Sequence, residues 1–76
     1  MKTNKLSIYM LSPTCDVIVD GKNTPIANVP TSSPLMYETP NRSYALQLAI
    51  RDIANAYHIT PSKVAIREND MLKIID

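Results

Sequence analysis

The sequence lacks most of the residue types on which small catalytic and cofactor sites depend. Its 76 residues include one glycine, one cysteine, one histidine, no tryptophan and no phenylalanine. A single glycine excludes the glycine-rich loops that bind nucleotide phosphates. The lone Cys15 cannot form an intramolecular disulfide, and Cys15 with His58 is too small a ligand set for a structural zinc site. We therefore expect no bound metal and no cofactor.

An excess of charge of either sign is missing as well. Eight basic and seven acidic residues give a net charge of +1, and they are scattered along the chain. Strong non-specific binding to DNA needs a clustered positive field, so this pattern does not favour it. The run KLSIYML at residues 5–11 is too short and too polar for a signal sequence or a membrane span. Together with the lone cysteine, this predicts a soluble cytoplasmic protein with no membrane partner.

What is present favours short strands in the first third of the chain. Apolar residues make up 45% of the sequence, enough for the core of a domain of this size. Residues 5–11 and 15–20 alternate as strands. Asp20-Gly21 predicts a type I′ turn into a return strand, because both central positions of that turn need positive φ. Pro25 cannot donate to a ladder, so the return strand is expected to be short or to lie at a sheet edge.

The strongest periodic signal predicts one helix within residues 41–59. Apolar side chains recur there at helical spacing and form one stripe: Leu46, Ala49, Ile50, Ile53 and Tyr57. Thr39 and Pro40 predict its start, and residues 64–75 predict a second hairpin. The chain, residues 1–76, is therefore expected to form a single α+β domain of order ββ(β)-α-ββ. Its architecture would be one small mixed or antiparallel sheet of four to five strands, with the helix packed on one face.

The one candidate for catalysis pairs Cys15 with His58. A cysteine nucleophile needs a base within hydrogen-bond reach. Cys15, however, shares a strand face with Val17 and Val19, and is expected to be a small buried hydrophobe. His58 ends the helix, a position where a histidine side chain interacts favourably with the helix dipole. We therefore predict that the protein is not an enzyme.

The segment VPTSSPLMYETPNR, residues 29–42, is the candidate for binding. It places three consecutive large side chains in a proline-bounded loop, where they either close the core or form a binding surface. Tyrosine and methionine are enriched at the centres of interfaces, and methionine adapts to irregular partners. We predict a small accessory or inhibitor protein that binds another protein. The predicted partner-binding residues are Leu35, Met36, Tyr37, Arg42 and Arg51.

Two alternatives remain open. A nucleic-acid-binding module would use a basic C-terminal face, with tyrosines that stack on bases; its residues would be Arg51, Lys63, Arg67 and Lys73. Acidic neighbours dilute that face, so a protein partner is the first expectation. The second alternative is a homodimer through the edge strand that contains Pro25. Ser33 precedes a proline, a common dipeptide that carries little weight as a phosphorylation site.

Overall fold

One helix and six short strands make up the regular structure of the described part of the chain. A computed structural model of the protein describes residues 5–31 and 34–75; the phosphorylation candidate Ser33 lies outside these ranges. The elements are β1 (Ser7–Leu11), β2 (Asp16–Val19), β3 (Lys22–Pro25), β4 (Met36–Thr39), α1 (Arg42–Tyr57), β5 (Val64–Ala65) and β6 (Met71–Ile75). Short 3₁₀ turns at Ile26–Asn28, Pro61–Lys63 and Glu68–Asp70 lie between them. The predicted α+β class is confirmed.

Within the described residues the strands form two three-stranded antiparallel sheets, and not the single sheet of four to five strands that the sequence predicts. The first sheet has the order β4-β1-β6 and the second has the order β3-β2-β5. The predicted hairpin at 64–75 is wrong, because β5 pairs with β2 whereas β6 pairs with β1. The turn Glu68–Asp70 lies between these strands, and the Ser12 N–H donates to the Asp70 carbonyl at 2.8 Å. This bond fixes the turn beside the end of β1, where β6 begins to pair. The order of the elements along the described chain is ββββ-α-ββ.

The Asp20-Gly21 hairpin is confirmed in the second sheet. β2 pairs with β3, with Val19 opposite Lys22. Asp20 has a φ of 50° and Gly21 has a φ of 80°, and positive φ at both central residues is what a type I′ turn requires. Pro25 is the last residue of β3, which lies at the edge of the sheet, as its missing N–H demands.

The helix α1 begins two residues later than the sequence predicts. Its cap is Asn41, whose side-chain oxygen accepts a hydrogen bond from the Tyr44 N–H at 2.9 Å. Thr39 is still part of β4, and its hydroxyl instead donates to the Asn41 carbonyl at 2.8 Å. The helix stops at His58, as predicted, where a left-handed backbone lets the His58 N–H bond carbonyls of the last turn.

The core lies between α1 and the inner faces of the two sheets. The helix buries Ala45, Ala49, Ile53 and Ala54. The sheets contribute Tyr9, Leu11, Val17, Val19, Val64 and Met71. The helix contacts β1, β4 and β6 of the first sheet and β5 of the second. One helix therefore covers one face of the first sheet, and the opposite face of that sheet has no helix against it within the described residues.

Candidate interaction surface

The geometry of β4 divides the three consecutive residues that were predicted to act together. Leu35 is only 8% exposed and belongs to the core, whereas Met36 is 49% exposed. Tyr37 is half-buried and packs against the core. Successive side chains of a strand point to opposite faces of the sheet, so Met36 and Tyr37 lie on different sides. Within this trio, Met36 alone is about half exposed on a face where a partner could contact it.

Arg42 and Arg51 do not lie beside Met36 as one surface. The Nε of Arg42 donates to the Met71 carbonyl at 3.0 Å, and its guanidinium carbon lies 5.8 Å from the centre of the Tyr9 ring. Arg42 thus joins the start of α1 to β6 and β1 on the helix side of the sheet. Arg51 is exposed on α1. Met36 lies on the face of the sheet directed away from α1, whereas Tyr37 and Arg51 lie on the helix side, where the charge of Arg51 acts on the Tyr37 phenol and opposes the rise of its pKa. The binding role of these five residues stays a prediction.

Tyr37 has a contact that ties β4 to the middle of the helix. Its hydroxyl donates to the Asp52 carboxylate at 2.6 Å. Burial raises the pKa of Tyr37 above its ordinary value of 10.0, and the bond to Asp52 and the charge of Asp52 raise it further. The neutral phenol is therefore the form that the fold favours.

We expect Tyr37→Phe to lower the free energy of unfolding by about 1 kcal/mol at neutral pH, because it removes this hydrogen bond. The pKa of Tyr37 is higher in the folded protein, so its stabilising effect is complete below pH 10 and is lost as the pH rises further. Urea unfolding at pH 8 and pH 11 should show a steeper loss for the unmodified protein than for Tyr37→Phe. Tyr44→Phe, at an exposed tyrosine, is the control and should follow the unmodified protein at both pH values. Parallel losses for all three proteins would contradict the assignment.

The outer face of the first sheet, directed away from α1, is apolar and largely uncovered. In β1 the side chains of Ser7, Tyr9 and Leu11 are buried, and Ile8 and Met10 point the other way. The strand register places Met36 and Leu72 on either side of Met10, and Glu38 and Ile75 on either side of Ile8. Leu6 directly precedes β1, and Ile74 lies where the register between β1 and β6 shifts by one residue. With these two included, we call the following seven residues the apolar face: Leu6, Ile8, Met10, Met36, Leu72, Ile74 and Ile75. Five of these side chains, Leu6, Met36, Leu72, Ile74 and Ile75, are between 39% and 55% exposed.

The second sheet shows that an uncovered apolar face is not a general property of this domain. Its outer face carries Asp16 and Asp20 on β2 and the adjoining turn, and the Asn23 amide donates to the Asp16 carboxylate at 3.2 Å. Ile18 is the large apolar side chain there, at 37% exposed. This is the apolar-in, polar-out pattern expected of an antiparallel sheet with one solvated face. The first sheet breaks that pattern.

The apolar face is large and nearly free of charge. Five large aliphatic side chains, each about half exposed, offer roughly 450 Å² of apolar surface, a size at which patches on single chains are often functional. Glu38, on the edge strand β4, is the one charged side chain among the described residues that the register places on this face. Lys73 of β6 lies opposite Tyr9, and so on the helix side of the sheet. Covering the apolar face would therefore desolvate little charge.

Apart from Met36, the sequence interpretation did not assign these residues to a site. A signal was present, since residues 8–11 of the first strand, IYML, are apolar at both alternating sets of positions. The strand at 71–75 is almost as apolar. Strands of this kind are typical of sheets covered on both faces. The described structure contains one helix, which covers one face of the first sheet.

The four residues of the predicted basic face lie on different parts of the fold. Arg51 is on α1, Lys63 is in a 3₁₀ turn, Arg67 lies outside any strand and Lys73 is in β6. Lys63 forms an ion pair with Asp20 at 3.8 Å, and both side chains are mostly exposed. The strands on either side of Arg67, β5 and β6, belong to different sheets, so Arg67 and Lys73 do not lie on one strand pair of the same sheet. The nucleic-acid role of the four residues stays a prediction.

The groups considered for catalysis and metal binding are in ordinary structural positions. Cys15 is buried at the start of the second sheet, and burial, followed by the charge of Asp70, raises the pKa of its thiol. His58 is exposed at the end of α1. Across residues 5–31 and 34–75 there is no group of three or more His, Cys, Asp or Glu residues that could hold a metal ion. Nor does any helix in those ranges have the length and apolar character needed to cross a membrane.

Comparison with known proteins does not identify a function for this surface. The chain matches no protein-family model, no curated protein and no solved structure. The function must therefore be inferred from the residues and contacts of the chain itself.

Proposed function

We propose that this protein is a small non-enzymatic binding module, an accessory or inhibitor protein of the cytoplasm, and that it binds protein through the apolar face. The observation that supports this is the contrast between the two sheets: the outer face of the second is polar, and that of the first is apolar. Water-exposed apolar surface is unfavourable in proportion to its area. A chain that keeps seven such residues on one face gains free energy when a partner covers them.

The composition of the face favours a protein partner over nucleic acid. Binding to a phosphate backbone depends on clustered Lys and Arg side chains, and the register places one charged residue, the acidic Glu38, on the face among the described residues. Interface centres, by contrast, are depleted of charge and contain methionine. Met10 and Met36 lie next to each other in the register and can adapt their shape to a partner surface. The scattered basic residues Arg51, Lys63, Arg67 and Lys73 give the nucleic-acid alternative less support.

A photo-crosslinking experiment tests the proposal even when the identity of the partner is unknown. The crosslinking amino acid p-benzoylphenylalanine replaces Leu72 in one tagged protein and Ile18 in another. These positions are 39% and 37% exposed, on the outer faces of the first and second sheets, and are therefore closely matched. Each protein is irradiated in a lysate of the source cells with and without nuclease, and the adducts are identified by mass spectrometry.

We expect protein adducts at position 72 that survive nuclease treatment, and at least ten times fewer at position 18. Additional copies of the chain itself count as protein adducts. Equal yields at both positions would show that the apolar face has no special role. Adducts at position 72 that disappear with nuclease would support the nucleic-acid alternative instead.

A further inference from the structure

We infer that the partner which covers the apolar face is a second copy of this chain, packed sheet on sheet about a two-fold axis. This inference rests on the proposed function, since it names the partner of the same surface. In the dimer the two first sheets would form a central double layer, with one helix on each outer side. The predicted homodimer used the edge strand that contains Pro25, which lies in the other sheet; the contact inferred here uses a sheet face.

The shape of the surface suits self-association. Two antiparallel sheets with the usual twist pack face to face about 10 Å apart, with their strand directions within about 30°. A two-fold dimer uses the same patch on both copies, so the patch must complement itself. Apolar sheet faces with side chains of mixed length meet this requirement, because the side chains of one face can interdigitate with those of the other.

The charge distribution also permits a second copy. Glu38 is on the edge strand β4, so it would lie at the rim of the contact, where a charge stays in water. The net charge of the chain is +1, which gives little repulsion between copies. Homodimer interfaces are more apolar than contacts between independent proteins, and the apolar face has that composition.

The area sets how strong the dimer should be. Two apolar faces of roughly 450 Å² each would bury roughly 900 Å² in total, which is below the size of stable specific interfaces and in the range of weak, transient ones. Such an area is typical of weak and reversible association. We therefore expect a dimer that forms in the micromolar range and dissociates on dilution.

Sedimentation velocity of the purified protein between about 5 and 500 μM tests this inference. The measured mass should rise from 8.5 kDa towards twice that value as the concentration increases. Leu72→Asp on β6 and Met36→Asp on β4 introduce a charge at the two edge strands of the apolar face, and both should weaken the dimer at least ten-fold. Ile18→Asp on the second sheet is the matched control and should dimerise like the unmodified protein. Circular dichroism confirms that each variant is folded.

The outcomes separate this inference from the proposed function. If the purified chain stays at 8.5 kDa throughout, and the crosslinker at position 72 captures a different protein, the second copy is wrong and the binding module stands. If Leu72→Asp and Met36→Asp dimerise as strongly as the unmodified protein, the dimer uses another surface, such as the β3 edge, and the inference is overturned. If the chain is monomeric and position 72 captures no protein, both proposals fail.

Discussion

Ile53→Ala should lower the free energy of unfolding by about 3 kcal/mol, since shortening a fully buried isoleucine removes its packing and leaves a cavity. Ile53 is 0% exposed and lies on the part of α1 that faces the core. A domain of this size has a total stability of only about 4–11 kcal/mol. The variant should therefore unfold at a much lower urea concentration, measured by circular dichroism at 222 nm.

The control for this prediction is Ile75→Ala, which deletes the same atoms at a side chain that is 55% exposed. We expect a change of about 0.5 kcal/mol or less when the measurement is made at a few micromolar protein, below the range in which a dimer would form. Equal losses at both positions would mean that Ile75 is packed within the fold. The apolar face would then be smaller than the structure indicates, and the proposed binding surface would lose one of its residues.

The features that the sequence predicted correctly depend on neighbours along the chain. The helix follows from apolar residues at helical spacing within a single segment, and the hairpin follows from Asp20-Gly21, where two adjacent residues adopt positive φ. The late start of α1 was missed because both Thr39 and Asn41 are suitable caps. The choice between them depends on where β4 ends, which is decided by its pairing with β1.

The division into two sheets could not be predicted from such local signals. β5 has two residues, and β6 pairs with β1 from the opposite end of the chain. A pattern of alternating side chains shows that a segment is a strand but not which strand it joins. The segment at 64–75 therefore looked like a hairpin, because two strand-like runs separated by a turn usually pair with each other.

The candidate site was only partly predictable for a related reason. Leu35, Met36 and Tyr37 were recognised as unusual, but the face that each one occupies depends on the register of β4 against β1. The apolar face is formed by residues far apart in the sequence. A strand that is apolar on both sides is expected to be covered on both sides. The uncovered side becomes visible only when the position of α1 is known.

Leu11→Ala should also cost about 3 kcal/mol, and it tests whether the two sheets unfold together. Leu11 is 2% exposed and pairs with Met71 in the first sheet. The helix contacts strands of both sheets, so we expect damage to the first sheet to destabilise the second equally. Of the four tyrosines, Tyr9 and Tyr37 are in the first sheet and Tyr44 and Tyr57 are in α1, so their fluorescence reports unfolding of the first sheet together with the helix. Cys15 is buried directly before β2, and its reaction with a thiol reagent reports opening of the second sheet.

The thiol reaction gives this prediction its sharpest measurement. Cys15 is the one cysteine of the sequence, and burial raises the pKa of its thiol, so labelling should require opening of the structure. A loss of about 3 kcal/mol corresponds to a roughly 100-fold faster labelling of Leu11→Ala under native conditions. Leu72→Ala, on the outer face of the same sheet, should label at the original rate when the protein is dilute. If the tyrosine transition of Leu11→Ala shifts while Cys15 keeps its protection, the sheets are separate cooperative units. If both probes shift together, the two sheets unfold as one unit. A partner that covers the apolar face and binds only the folded state would then stabilise the second sheet as well as the first.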